Sequence, residues 1–238
     1  MRPGTLRFLI VLLCLIDSGL PLTAQPPHPP FRLLFLGDSY TVGEGVSAAE
    51  SFPAQVVARL QEQGVKVEPP VIIAKTGWTS KELLKALQER KPAGPFDLVV
   101  VLIGANDQFR YEDEETDYRP RMEKILEKSL ALVGGNPEKV LVVSIPDWSV
   151  TPFAKGKDRG RLSRDIDGFN YVALVETGKT GVGYLDLWDL SRTAGEDPTL
   201  ICADGLHPSA RMYALWAEEL LRFVAAEKKS KALEKLPF

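Results

Sequence analysis

The chain has 238 residues, 45% of them hydrophobic and 26% charged, with 29 basic against 32 acidic side chains and a formal charge of −3. That length and apolar content suffice to bury a single large core, and the slightly acidic balance argues against nucleic acid as a partner. Cysteine occurs only at Cys14 and Cys202, which excludes a disulfide-framework protein.

The first predicted element is an export leader over residues 1–24. Arg2 and Arg7 precede the apolar run Phe8 to Ile16, and small or polar residues lead to Ala24 as the cleavage point. The run is shorter than the roughly 20 residues that span a bilayer, so the reading is export, to the periplasm or beyond, with no stable membrane anchor. Cys14 follows Leu13 rather than a small residue and is not read as a lipidation site. Removal of the leader leaves Cys202 alone, so no intramolecular disulfide is expected. Residues 25–31, opening on Gln25-Pro26-Pro27-His28-Pro29-Pro30, lack the backbone donors for a helix or central strand and read as an extended tether.

From residue 32 to 228, short branched apolar runs alternate with amphipathic stretches. Arg32 to Leu36, Val71 to Ala74, Leu98 to Ile103, Val140 to Ile145 and Tyr184 to Leu187 are predicted strands. Helices are predicted over Ala49 to Gln63, Ser80 to Glu89, Tyr118 to Val133, Ser163 to Thr177 and Ser209 to Glu227. In the last of these, Met212, Leu215, Trp216, Leu220 and Phe223 recur at helical spacing and read as core. Residues 229–238 are expected to be a C-terminal tail, and Glu112 to Glu115 a solvated loop. The near-continuous apolarity of Val99 to Ile103 and Val140 to Val143 predicts strands covered on both faces, hence a three-layer α/β/α sandwich with a mainly parallel sheet. In such a sheet, the loops leaving the carboxyl ends of the strands gather on one edge.

Three loops carry the chemistry. Ser39, in Gly37-Asp38-Ser39-Tyr40, follows a strand and sits where a nucleophile is held exposed. A serine needs a base, and of two histidines His28 lies in the proline-rich tether, leaving His207. Asp204, three residues earlier, is placed to accept from the imidazole; Gly205 permits the turn and Pro208 opens the following helix. Negative charge developing on an attacked carbonyl requires donors, for which the Ser39 and Gly77 N–H groups and the Asn106 amide are the candidates. Asp38 and Asp107 are expected to bond backbone in their own loops. Cys202 is expected to be a small buried residue. Gly43 to Ala48 and Gly178-Lys179-Thr180 imitate nucleotide-binding loops but lack the required strand context or first glycine.

These blocks resemble those of the SGNH, or GDSL-type, hydrolase family from Leu36 to Pro208. The resemblance implies a flavodoxin-like SGNH fold, a catalytic triad of Ser39, Asp204 and His207, and an oxyanion hole formed by Ser39, Gly77 and Asn106. It also implies ester hydrolysis without cofactor or metal. Tyr40 departs from the leucine common in the family, which bears on substrate preference. Trp78 and Trp148, close to strand ends, are the preferred substrate-binding aromatics among a set that includes Phe109, Tyr111 and Phe153. The expected substrate is a small-molecule ester, either a lysophospholipid-like acyl ester or an O-acetylated carbohydrate. The alternative is a non-catalytic carbohydrate-binding protein retaining the same fold.

Overall fold

A strand that is apolar on both faces needs cover on both sides. In the computed structural model, which describes residues 29–234, five strands make one wholly parallel sheet. They are β1 (Leu33–Gly37), β2 (Val71–Ala74), β3 (Leu98–Leu102), β4 (Val140–Val143) and β5 (Gly183–Leu185), in the order β2-β1-β3-β4-β5. β1, β3 and β4 are buried along their whole length. The leader, Cys14 and His28 lie outside the described residues, as do residues 235–238 of the tail.

Among the described residues, eight α-helices complete the layers: α1 (Ser39–Val42), α2 (Phe52–Glu62), α3 (Ser80–Arg90), α4 (Ala105–Phe109), α5 (Arg119–Leu132), α6 (Arg159–Thr180), α7 (Trp188–Arg192) and α8 (Ala210–Glu234). The chain first steps from β1 outward to β2, then reverses through β3, β4 and β5. Right-handed crossovers therefore place α2 on one face and α3, α5 and α6 on the other; α2 packs on α8, and α5 packs between α3 and α6. This is the α/β/α sandwich expected from the sequence. The α8 stripe is core as expected: Met212, Trp216 and Leu220 are buried, and Trp216 meets Phe52 and Tyr213 edge-on.

Several boundaries differ for local reasons. β4 stops before Ile145 because Asn170 of α6 captures that residue's backbone, accepting from Ile145 N at 2.8 Å and donating to Ile145 O at 2.9 Å. α6 starts earlier than expected because Asp158 caps it, and it runs through Gly178 to a left-handed Gly181. α8 continues past Glu227 to Glu234. The acidic run is not simply solvated: Glu112 and Asp117 both pair with Arg121 of α5, and Glu114–Tyr118 form a π-helical turn.

The strand order reverses between β1 and β3, and the crevice at that point is where ligands bind in sheets of this topology. Ser39 leaves β1 there and Asn106 leaves β3.

Candidate active site

The turn after β1 is tight because Gly37 allows it. A Cβ on Gly37 would fall 2.1 Å from Thr41 Oγ1 and 2.3 Å from the Leu102 carbonyl. Asp38, fully buried, caps the single turn of α1 by accepting from Tyr40 N at 3.0 Å, which places Ser39 at the first helical position. The loop before α8 brings the histidine to it. Gly205 takes a positive φ of 73°, and the loop is pinned by Cys202 N donating to His207 O at 2.7 Å.

Ser39 Oγ lies 2.9 Å from His207 Nε2, and His207 Nδ1 lies 2.7 Å from Asp204 Oδ2. The other carboxylate oxygen of Asp204 accepts the N–H groups of Leu206 and His207 at 2.9 and 3.0 Å. Partial burial pushes the Asp204 carboxyl up, but the bonds from Leu206 N–H, the His207 ring and His207 N–H together outweigh it and hold it below the ordinary carboxylate value. An ionised Asp204 fixes the proton on Nδ1 and leaves the Nε2 lone pair facing the serine hydroxyl.

The Gly77 loop is tied to the helix of Asn106 through Trp78 and Arg110. Gly77 has a φ of +80°, the left-handed region a glycine adopts without strain. From α4, Asn106 Nδ2 donates to Trp78 O at 3.0 Å and approaches Asp38 Oδ2 at 3.4 Å, while Arg110, one turn on, donates to Gly77 O at 2.7 Å. Asn106 thus joins the β1, β2 and β3 loops at one point, and Glu44 adds a bond from the Thr76 hydroxyl. Among the described residues, neither the Ser39 nor the Gly77 N–H has an intramolecular acceptor. Arg110 was not singled out from sequence; its spacing of one helical turn from Asn106 was the available signal.

Other expectations are resolved by burial. Asp38 bonds its own loop, but Asp107 does not: it reaches across to cap α3, accepting from Ser80 N at 2.9 Å. Burial pushes Asp38 up to about 7 and Asp107 up to about 6. Tyr40, linked above to substrate preference, is 3% exposed and packs beneath the imidazole with ring centroids 5.3 Å apart. Trp148 is also buried, at 4%, whereas Tyr111 is exposed, as are Phe109 and Phe153, which pack on Trp148. Trp78 is half-buried, with the Arg90 guanidinium over its ring. Cys202 is half-buried, and burial raises its thiol pKa, which disfavours a thiolate. A cavity of about 850 Å³ opens at the opposite edge, near Leu98, Leu141 and Gly183 at the strands' amino ends.

A serine, an imidazole and a carboxylate hydrogen-bonded in series at the carboxyl edge of a doubly wound sheet define a class, the ester hydrolases of α/β/α architecture. The chain belongs to the GDSL-like Lipase/Acylhydrolase family, whose model matches residues 35–215, and is a carboxylic ester hydrolase. Its fold is similar to that of the lipase/acylhydrolase from Enterococcus faecalis, at 22% identity over 83% of this chain and 96% of that one, with a TM-score of 0.63. It is likewise similar to the acetylxylan esterase Axe2 from Geobacillus stearothermophilus, at 21% identity over 82% and 94% of the two chains, TM-score 0.62. The psychrotrophic esterase EstA from Pseudoalteromonas sp. matches at 18% identity over 83% and 98%, TM-score 0.61. At these identities the likeness is one of fold. Comparison with curated protein sequences found no match.

Proposed function

We propose that the protein is an exported serine esterase working through an acyl-enzyme on Ser39. The observation that carries this is the unbroken series Ser39 Oγ, His207 Nε2, His207 Nδ1, Asp204 Oδ2, with contacts of 2.9 and 2.7 Å. His207 takes the serine proton as Oγ bonds to the ester carbonyl carbon, and Asp204 stabilises the imidazolium. The carbonyl oxygen, now negative, is received by the Ser39 and Gly77 N–H groups and the Asn106 amide. The C–O bond to the alcohol then breaks, and His207 returns its proton to the departing oxygen. Water, deprotonated by His207, attacks the acyl-serine, and the carboxylic acid leaves as Ser39 regains its proton.

Export rests on the leader, with the mature chain beginning near Gln25. Acylated carbohydrates and lysophospholipid-like acyl esters are the substrate classes proposed for the site.

Hydrolysis of p-nitrophenyl esters from acetate to a long acyl chain, by wild type and folded Ser39→Ala, tests the reading. Turnover and labelling by a serine-directed phosphonate should both vanish in Ser39→Ala. Labelling absent from wild type, with ligand affinity unchanged by the substitution, would favour a binding protein instead.

A further inference from the structure

On the Asn106 helix and against the Gly205 turn the molecule carries a second built feature that ester hydrolysis itself does not use. Phe109 and Phe153 are large apolar side chains left 44% and 41% exposed. Their centroids lie 6.2 Å apart, and both pack on Trp148, at 5.9 and 5.8 Å. Each hangs from an element that also carries the chemistry. Phe109 ends the helix on which Asn106 sits, and Phe153 N donates to Gly205 O at 2.9 Å, two residues from His207. The shelf is therefore fixed to both the oxyanion side and the imidazole side of the site.

A cavity of about 240 Å³ adjoins this shelf, lined by Gln108, Phe109, Trp148, Lys157, Arg161 and Asp165 among others. Gln108 is 3% exposed, and its Oε1 is buried without a hydrogen bond. Lys157 makes no ion pair among the described residues; its ammonium stands 5.6 and 5.8 Å from the Phe109 and Phe153 centroids. A buried amide oxygen without a partner is costly, and an aromatic ledge beside it supplies an apolar face.

We propose that this cavity is the subsite for the alcohol portion of the substrate and that it takes a sugar ring. This rests on the ester-hydrolase reading above. A pyranose has an apolar C–H face for the phenyl and indole rings and equatorial hydroxyls for the Gln108 amide and the Lys157 ammonium. The cavity lies below the roughly 300–1,000 Å³ of drug-sized pockets, which suits one ring rather than a long acyl chain. Its charged wall disfavours such a chain as well. A choline headgroup is disfavoured because Lys157 already holds positive charge against the rings.

The test compares kcat/KM on 6-O-acetylglucose, whose ring keeps its equatorial hydroxyls free, with kcat/KM on p-nitrophenyl acetate for wild type, Phe153→Ala and Lys157→Ala, both substitutions at exposed positions. The sugar-to-aryl ratio should fall about tenfold in Phe153→Ala, mainly through KM, and severalfold in Lys157→Ala. Ratios within twofold of wild type in both variants would overturn the proposal, as would wild-type preference for a lysophospholipid over acetylated sugars. In parallel, the folded Ser39→Ala protein is titrated with 6-O-acetylglucose by tryptophan fluorescence. Binding that weakens on adding Phe153→Ala supports the subsite even if no ester is turned over, an outcome that would sink only the catalytic reading; no binding together with an unchanged ratio rejects the subsite alone.

Discussion

Asn106→Ala separates holding the site together from stabilising the transition state. The Asn106 amide has two N–H groups. One donates to Trp78 O at 3.0 Å; the other makes a long contact of 3.4 Å to Asp38 Oδ2, which an oxyanion would replace. Losing one such donor costs roughly 10²–10³ in kcat, about 3–4 kcal/mol of transition-state stabilisation. The fold loses one partly buried bond and leaves the Trp78 carbonyl unpaired, about 1–3 kcal/mol. Because the donor acts on charge absent from the ground-state ester, kcat should fall while KM stays near its original value. The assay is kcat and KM on p-nitrophenyl acetate, with urea unfolding to confirm that the variant is folded. A folded variant within about threefold of wild-type kcat, or one whose loss lies wholly in KM, would refute the reasoning.

Two further outcomes concern stability. Gly37→Ala should cost about 3 kcal/mol or more, since its Cβ would sit 2.1 Å from Thr41 Oγ1 and 2.3 Å from a backbone oxygen of the central strand; an unfolding midpoint equal to wild type would show that the turn relaxes. Desolvation raises Asp38 to about 7 and Asp107 to about 6, so the folded state keeps protons that the unfolded chain gives up near pH 4. Their contribution to stability is complete below that unfolded value and is lost as pH rises through the folded ones. At about 1.4 kcal/mol per pH unit per group, moving from pH 5 to pH 8 removes about 3 kcal/mol through Asp38 and about 1 through Asp107. The carboxylates held low, such as Glu82, Glu176 and Asp204, titrate below this window and do not contribute to it. Asp107→Asn, which can still accept from Ser80 N, should lessen the pH 5 to pH 8 loss by about 1 kcal/mol in urea unfolding. An identical loss in variant and wild type would contradict the assignment.

The fold was legible because its signal is local. Unbroken apolar runs at Val99 to Ile103 and Val140 to Val143 mean two-sided burial wherever they occur in a chain. Ser39, Asp204 and His207 were legible for a related reason: Asp204 and His207 are three residues apart on one turn, and His207 was the sole histidine outside the tether. What was not legible depends on which loops become neighbours. Nothing near Asp107 announces that its partner is Ser80, 27 residues earlier, or that Arg110 will hold the Gly77 carbonyl. Ile145 continues an apolar run, and only the arrival of Asn170 from α6 ends the strand before it. Trp148 and Tyr40 follow strand ends just as exposed residues do; their burial is set by Phe153 in one case and by α8 in the other.

That dependence on neighbouring loops explains a pattern in the site itself. Asp38–Ser39 and Asn106–Asp107 are adjacent pairs, each with one residue at the reacting edge and the other fully buried behind it. Asp38 holds Tyr40 N and stands next to Asn106, while Asp107 holds α3 and faces Arg121 at 3.4 Å. The buried carboxylates fix the β1 and β3 loops to the rest of the scaffold, and the adjacent residues inherit that fixed position. Preorganised donors are effective because they need not be reorganised as charge develops. Burying two acids, with the Asp107 charge raising Asp38 further, weakens the fold above neutral pH, and the same burial holds the Ser39 turn and the Asn106 amide in place.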